Sequence, residues 1–222
     1  MISIVIPTFN EPNCNDLFNS LEKQTDKDFE IIIANASKNT PQYPQINQSV
    51  SVVQSSRGRG LQLNYGAKQS AGDILWFLHA DSKVLPSAIA TIKKNLSQTV
   101  NAGAFTLCFD SRSLYFKVIS TCGTLRSKLT RIPFGDQGIF IKKTLFNSLG
   151  MFPEQPLMED IALMKKIRKN KKKVIILNEK LFTSTRRYID KGQLKTTILN
   201  TWYQCLYSFG MSAEKIAKKY YA

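Results

Sequence analysis

The sequence predicts an α/β fold built on a mostly parallel sheet with helices on both faces. Three observations carry that prediction. Short apolar runs alternate with helical patterns over about the first eighty residues, which is the β-α-β-α order of a parallel sheet. Polar segments (residues 8–11, 35–39, 57–60 and 79–82) follow the runs, at the strand ends where such sheets gather ligands. The 222-residue chain is 43% hydrophobic, enough for a packed core and too much for disorder.

The elements follow in order. Residues 2–6 read as a buried strand stopped at Pro7, and residues 16–24 as a helix with Leu17, Phe18 and Leu21 on one face. Residues 29–34 and 50–53 are the next strands; residues 61–71 form a helix that stops at Gly72, and residues 74–78 a fourth, strongly apolar strand. Beyond residue 100 the pattern loosens. Residues 102–109, 137–141 and 174–177 read as strands, and 113–129 and 158–169 as helices. Near the end, Leu194, Ile198, Leu199, Trp202, Leu206 and Phe209 make an apolar stripe at helical spacing, closed by Gly210. Ser212 then reads as the N-cap of a short helix bearing Lys215, Lys218 and Lys219. The stripe fits a helix docked on its own domain, a dimer contact, or an interfacial membrane helix. Residues 1–190 are expected to form the main domain, with 191–222 a helical extension.

Charge is unevenly placed. Residues 1–81 carry six Lys/Arg against eight Asp/Glu, whereas residues 82–222 carry 25 against eight. The back half is therefore expected to meet an anion, whether phosphorylated substrate, anionic membrane or nucleic acid. No nucleic-acid motif accompanies the charge, so nucleic acid is not the expected partner. Four scattered cysteines without a CxxC pair, and a single histidine, argue against a zinc site or a disulfide framework. No secretory leader or membrane-spanning run is visible, which points to the cytoplasm, with the inner face of the membrane as the expected alternative.

Two acidic clusters about eighty residues apart carry the chemistry: His79-Ala80-Asp81 after an apolar strand, and Glu159-Asp160 opening a basic helix. A carboxylate at a strand tip can hold a hard divalent cation against a diphosphate, and a second can accept a proton from an attacking hydroxyl. Each has a plain alternative. Asp81 can cap the next helix, a lone histidine such as His79 is commonly structural, and acids at a helix start suit its dipole. Arg57-Gly58-Arg59-Gly60 can cradle phosphate oxygens or form an ordinary tight turn. Gly135-Asp136-Gln137-Gly138 can bring backbone close to a ligand. Arg186-Arg187 can neutralise a leaving diphosphate or sit on the surface.

In this order, the residues resemble family-2 glycosyltransferases of GT-A fold over about residues 1–190. Val5-Ile6-Pro7-Thr8-Phe9-Asn10-Glu11 resembles the opening strand and nucleotide loop; Ser20-Leu21, Gln24-Thr25 and Phe29-Glu30-Ile31-Ile32 match the next helix and strand. Asn64-x-Gly66 with Ala71-x-Asp73 resembles the third block, His79-Ala80-Asp81 the Asp-x-Asp metal site, and Glu159-Asp160 the catalytic acid pair. Leu-His-Ala-Asp, Gly-Asp-Gln-Gly and Pro-Leu-Met-Glu-Asp are similar to small soluble members.

The resemblance implies inverting transfer from a nucleotide-diphosphate sugar, UDP-sugars favoured, with Asp160 as general base beside Glu159. It implies Mg2+ or Mn2+ on Asp81, with His79 as second ligand. It puts Pro7, Thr8, Asn10, Glu11, Asn35, Arg57, Arg59, Asn64, Ala80, Asp136, Gln137, Arg186 and Arg187 around the donor. The acceptor is expected to be a small molecule or a lipid. Two departures stand out: His79 replaces the first metal-site acid, and Asn35 an acid that usually meets the nucleotide. The Gln-x-x-Arg-Trp signature of processive synthases is absent, which points to single-sugar transfer. The rivals are a nucleotidyltransferase of related fold, a basic module binding RNA or anionic membrane, and a transferase that has lost activity.

Overall fold

A computed structural model describes residues 1–10, 14–38 and 42–221. Among them the order is β1 (Ile2–Thr8), α1 (Asn15–Glu22), β2 (Phe29–Asn35), β3 (Val50–Gln54), α2 (Arg59–Gln69), β4 (Ile74–Phe77), β5 (Lys83–Val84), α3 (Ala88–Asn95) and β6 (Val100–Phe109). There follow α4 (Leu114–Thr130), a 3-10 turn (Gly135–Gln137), β7 (Phe140–Lys142), α5 (Lys143–Ser148), α6 (Glu159–Lys169), β8 (Lys173–Thr183), α7 (Arg186–Lys191), α8 (Gln193–Ser208) and α9 (Ala213–Tyr221).

The strands form one sheet in the order β3-β2-β1-β4-β7-β6-β8-β5. The front four are mutually parallel: Ile4 pairs with Ile31 on one side and Trp76 on the other. β7 runs antiparallel to β4 and β6, and β8 parallel to β6. The expected mostly parallel α/β sheet is therefore present, with β7 inserted antiparallel between β4 and β6 and β5 antiparallel to β8 at the far edge. Its period-two alternation sorts the core. Ile4, Ile6 and Trp76 pack with α1 and α3 on one face; Val5, Leu75 and Phe77 pack with α2, α5 and α6 on the other.

Glycine sets one of those contacts. A methyl group at Gly66 on α2 would lie 2.5 Å from Val5 Cγ1, so the helix reaches β1 because nothing stands between them.

The structure moves several expected boundaries. Residues 174–177 are only the first part of β8, which continues to Thr183. Pairing with β6 slips between Ala104–Ile176 and Thr106–Lys180. The bulge at Leu177–Glu179 absorbs polar residues that made the strand look finished. Gln137 belongs to the 3-10 turn and not to a strand, because Gly138, at φ 61°, separates it from β7. α2 begins at Arg59 rather than residue 61. Ser212 caps α9 as expected, its Oγ accepting the Lys215 N–H at 3.4 Å.

Two helices carry their apolar stripes outward. α4 buries Phe116, Ser120, Thr124 and Ser127 while Leu114, Val118, Leu125 and Leu129 are exposed. α8 buries Thr196 and Tyr203 and exposes Leu194, Ile198 and Trp202. The C-terminal stripe is thus not docked on its own domain.

Candidate active site

The parallel strands end on one edge, and the sequence loads that edge with polar residues. After β4 the chain stays extended for one more residue, the Leu78 N–H donating to the Val5 carbonyl at 3.1 Å. His79-Ala80-Asp81 therefore starts at the mouth of the sheet. From the other side, α6 begins at Glu159 after Met158, which takes a left-handed conformation at φ 63°. A cleft of about 240 Å³ lies between, lined by Asp81, Asp160, Asp136, Arg59, Arg187 and Tyr188. Asp81 and Asp160, far apart in sequence, face one cavity.

Asp160 is held on both oxygens. Its Oδ1 accepts the Ile161 N–H at 2.8 Å and its Oδ2 the Gly135 N–H at 2.7 Å. The first is a free N–H of the opening turn of α6; the second comes from the 3-10 turn. Arg59 Nη2 lies 3.7 Å from Asp160 Oδ2, while Arg59 Nε donates to the buried Glu159 carboxylate. Burial opposes charge on Arg59, but the Glu159 and Asp160 carboxylates outweigh it and hold the guanidinium above its ordinary value. Burial pushes the Glu159 carboxyl up even against Arg59.

His79 completes this cluster. Its Nε2 lies 3.5 Å from Arg59 Nη1. Burial, with Arg59 beside it, lowers its pKa to about 4, so the ring is neutral at physiological pH. Asp136 sits across the cleft with an Oδ1 that is buried and accepts no hydrogen bond. Burial and then the neighbouring Asp160 push its carboxyl to about 6. Arg126, stacked 3.2 Å over the Phe134 ring, is lowered to about 10 by burial.

The comparisons now bear on this site. The family model described as glycosyl transferase family 2 matches residues 3–152. The chain belongs to that family. A sequence search among curated proteins gives no match. Among solved structures, S. aureus TarS 1–349 is 19% identical over 83% of this chain and 60% of its own, with a TM-score of 0.62. The mannosyltransferase PcManGT from Pyrobaculum calidifontis, solved with GDP-Man and Mn2+, is 20% identical over 82% of this chain and 56% of its own, with a TM-score of 0.67. A TarS 1–349 structure with UDP-GlcNAc is 19% identical over 82% of this chain and 58% of its own, with a TM-score of 0.61. These likenesses share the GT-A fold, and the chain spans about 56–60% of the length of those solved chains. The family 2 match includes Asp81 and ends just before Glu159-Asp160.

Of the donor-site residues expected of a family 2 member, the cleft gathers Arg59, His79, Asp81, Asp136 and Arg187. A neighbouring cavity of about 290 Å³ brings Ala80 and Arg186 to Asp81. Arg57 is exposed, its guanidinium 4.3 Å over the Phe9 ring, and Pro7 is half-buried. Asn10 stands at the end of β1 with its N–H on Ser37 Oγ at 2.6 Å. Glu11 lies outside the described residues.

Four expected ligands are occupied within the fold. Thr8 Oγ1 meets Tyr43 at 3.0 Å. Asn35, fully buried, gives its amide to Gln54 at 3.2 Å and accepts the Ser37 N–H at 3.1 Å. Asn64 exchanges two bonds with the Phe152 backbone at 2.9 and 3.0 Å, and Gln137 binds Ser127 and the Phe105 carbonyl. These side chains shape the loops and do not open to the cleft.

Sequence reasoning missed the back wall: Tyr188, Asn200, Tyr203, Gln204 and Tyr220 line the cleft from α7, α8 and α9. The only signal was Tyr188 beside the paired arginines.

The donor chemistry fits one hard cation shared with a substrate diphosphate. Among the described residues no group of three or more His, Cys, Asp or Glu side chains surrounds a common point. Asp81 opens to both cavities, and Mg2+ or Mn2+ commonly uses one or two carboxylates plus phosphate oxygens. His79 Nε2 is turned to the Arg59 guanidinium, which is poor ground for a second cation.

Proposed function

We propose that the protein is an inverting glycosyltransferase. It moves one sugar from a nucleotide-diphosphate sugar, UDP-sugars favoured, to the hydroxyl of a small-molecule or lipid acceptor. The observation that carries this reading is the shared cleft of Asp81 and Asp160 in a family 2 chain. TarS with UDP-GlcNAc and PcManGT with GDP-Man and Mn2+ support the donor class and a divalent cation.

Asp160, oriented by Gly135 and Ile161, accepts the proton of the acceptor hydroxyl. The acceptor oxygen forms its bond to the anomeric carbon as the bond from that carbon to the diphosphate oxygen breaks, with inversion. The nucleoside diphosphate leaves with the bonding pair. Arg187 in the cleft, and Arg186 in the adjoining cavity, offer positive charge to it. Asp81 would hold the Mg2+ or Mn2+, which would neutralise diphosphate charge when bound. Arg59 and Glu159 are positioning residues: their ion pair fixes the entry of α6 and hence Asp160.

We assign the transferase to residues 1–190 and an accessory role to 191–222, in the cytoplasm and in contact with an anionic membrane. Screening UDP- and GDP-sugars by thermal shift, with and without manganese, tests the reading. A donor at about a hundred times its Kd adds ~2.7 kcal/mol of stability. A manganese-dependent rise with a UDP-sugar is expected. No shift with any nucleotide sugar, or release of pyrophosphate during turnover, overturns it.

A further inference from the structure

α4 is amphipathic the wrong way round for a helix of a closed domain. Beyond Phe116 its inner face is small and hydroxylated, with Ser120, Thr124 and Ser127, and the hydroxyls are used. Thr124 Oγ1 accepts the Leu107 N–H at 3.1 Å, and Ser127 Oγ donates to Gln137 Oε1 at 2.6 Å. Its outer face carries Leu114, 74% exposed, Val118, Leu125 and Leu129, 77% exposed. α8 repeats the arrangement with Leu194, Ile198 and Trp202 outward. The N-terminal end of α4 meets α8 where Tyr115 Oη and Thr197 Oγ1 lie 2.7 Å apart. An unpartnered apolar surface of this kind marks an interaction site.

Its surroundings state what the partner is. Residues 111–135 contain five Lys/Arg and residues 161–178 seven, and neither segment contains an Asp or Glu. The two segments meet where Arg168 Nη1 donates to the Thr130 carbonyl at 3.3 Å. There Arg131, Arg168, Lys171, Lys172 and Lys173 line a shallow cavity of about 390 Å³, next to the exposed Leu129. Exposed leucines on α4 ending at a cation cluster, with the isoleucine and tryptophan of α8 outward as well, suit the headgroup boundary of an anionic bilayer. Nucleic acid would use the cations and leave the leucines without a partner. Among the described residues no helix is long and apolar enough to cross a membrane, so the contact is peripheral.

We infer that the outer faces of α4 and α8, with the cation cluster at the end of α4, dock on an anionic membrane surface. This gives the membrane contact proposed above a defined surface. The inner face of α8 supplies Asn200, Tyr203 and Gln204 to the cleft, so a docked α8 puts the cleft wall at headgroup level, where a lipid hydroxyl is presented.

Tryptophan fluorescence tests the inference without donor or acceptor, so its outcome is independent of the transfer reaction. The chain has two tryptophans. Trp76 is 0% exposed and contributes a constant emission, whereas Trp202 is 58% exposed and reports on α8. Vesicles of phosphatidylcholine with about one third phosphatidylglycerol are expected to blue-shift the emission and to sediment the full chain. Binding should be at least ~10-fold tighter than to pure phosphatidylcholine and should weaken with salt. V118E in α4, or K171E with K172E at the rim, should each reduce binding several-fold while the far-UV circular dichroism is unchanged. Absence of vesicle binding overturns the inference, as does binding that leaves Trp202 unshifted. A lipid-free, concentration-dependent shift with dimer formation assigns the face to a second copy. RNA binding without vesicle binding assigns the cations to nucleic acid. Either result overturns it too.

Discussion

Gly135 donates its backbone N–H to Asp160 Oδ2 at 2.7 Å, twenty-five residues upstream of the carboxylate it orients. A side chain at Gly135 would intrude on this arrangement. A methyl group there would lie 3.1 Å from His79 Nε2 and 3.3 Å from Asp160 Oδ2, closer than ordinary contact. Gly135→Ala should displace the carboxylate by a few tenths of an ångström and lower kcat about 10-fold, since positioning errors of ~1 Å can cost 10²-fold. Donor binding, read by thermal shift, should be little changed. Equal kcat in the variant would mean that Asp160 tolerates free reorientation.

Asp160→Asn removes the proposed proton acceptor, and its single amide oxygen can accept from only one of the Ile161 and Gly135 N–H groups. Loss of a general base typically costs ~10²–10⁴ in rate. The variant should bind donor with nearly unaltered affinity and turn over at least ~10²-fold more slowly, as measured in single-turnover assays. Full activity would reassign the base to another group in the cleft.

Much of this was legible in the sequence because strands on a parallel sheet are continuous apolar runs. Residues 2–6, 29–34 and 74–78 declared their places, and with them the edge where Asp81 sits. Burial of polar side chains was less legible. Asn35 ends β2, Asn64 lies in the middle of α2 and Gln137 in the 3-10 turn, and nothing in a sequence separates an amide facing a ligand from one bonded to Gln54, Phe152 or Ser127. The stripe of α8 left a docked helix, a dimer contact and a membrane helix open in the sequence for a related reason. Periodicity fixes which residues share a face, while Thr124 and Ser127 show that hydroxyls with partners can take the inner one.

Arg59 is the next lever. Its Nε bonds the Glu159 carboxylate, whose side chain is 2% exposed, while the Arg59 side chain is 38% exposed. Arg59→Met would leave that carboxylate buried and unpaired. Breaking a buried pair costs ~3–5 kcal/mol, and the partial exposure of Arg59 puts the expected loss near the lower end, about 3 kcal/mol. Denaturant titration should show it, and adding Glu159→Gln should restore part of the stability. A double variant no more stable than Arg59→Met alone would rule out the unpaired charge as the cause.

Asp136 gives the pH dependence. Burial and Asp160 raise its carboxyl to about 6 in the folded protein, against about 3.9 in an unfolded chain. Between those values the native state holds a proton that the unfolded state has released, so stability falls as pH rises through that window and the penalty is complete above about pH 6. Asp136→Asn carries no charge and escapes the penalty. The variant should match wild type near pH 4 and melt several degrees higher at pH 7.5, since ~1 kcal/mol moves the Tm of a chain this size by about 2–4 °C. Its transfer activity should fall, because the lost carboxylate lines the cleft beside Asp160. Melting curves of both proteins from pH 4 to 8 read the effect directly. A variant less stable than wild type by the same margin at every pH would show that Asp136 is a neutral structural partner and not a strained carboxylate kept for the substrate.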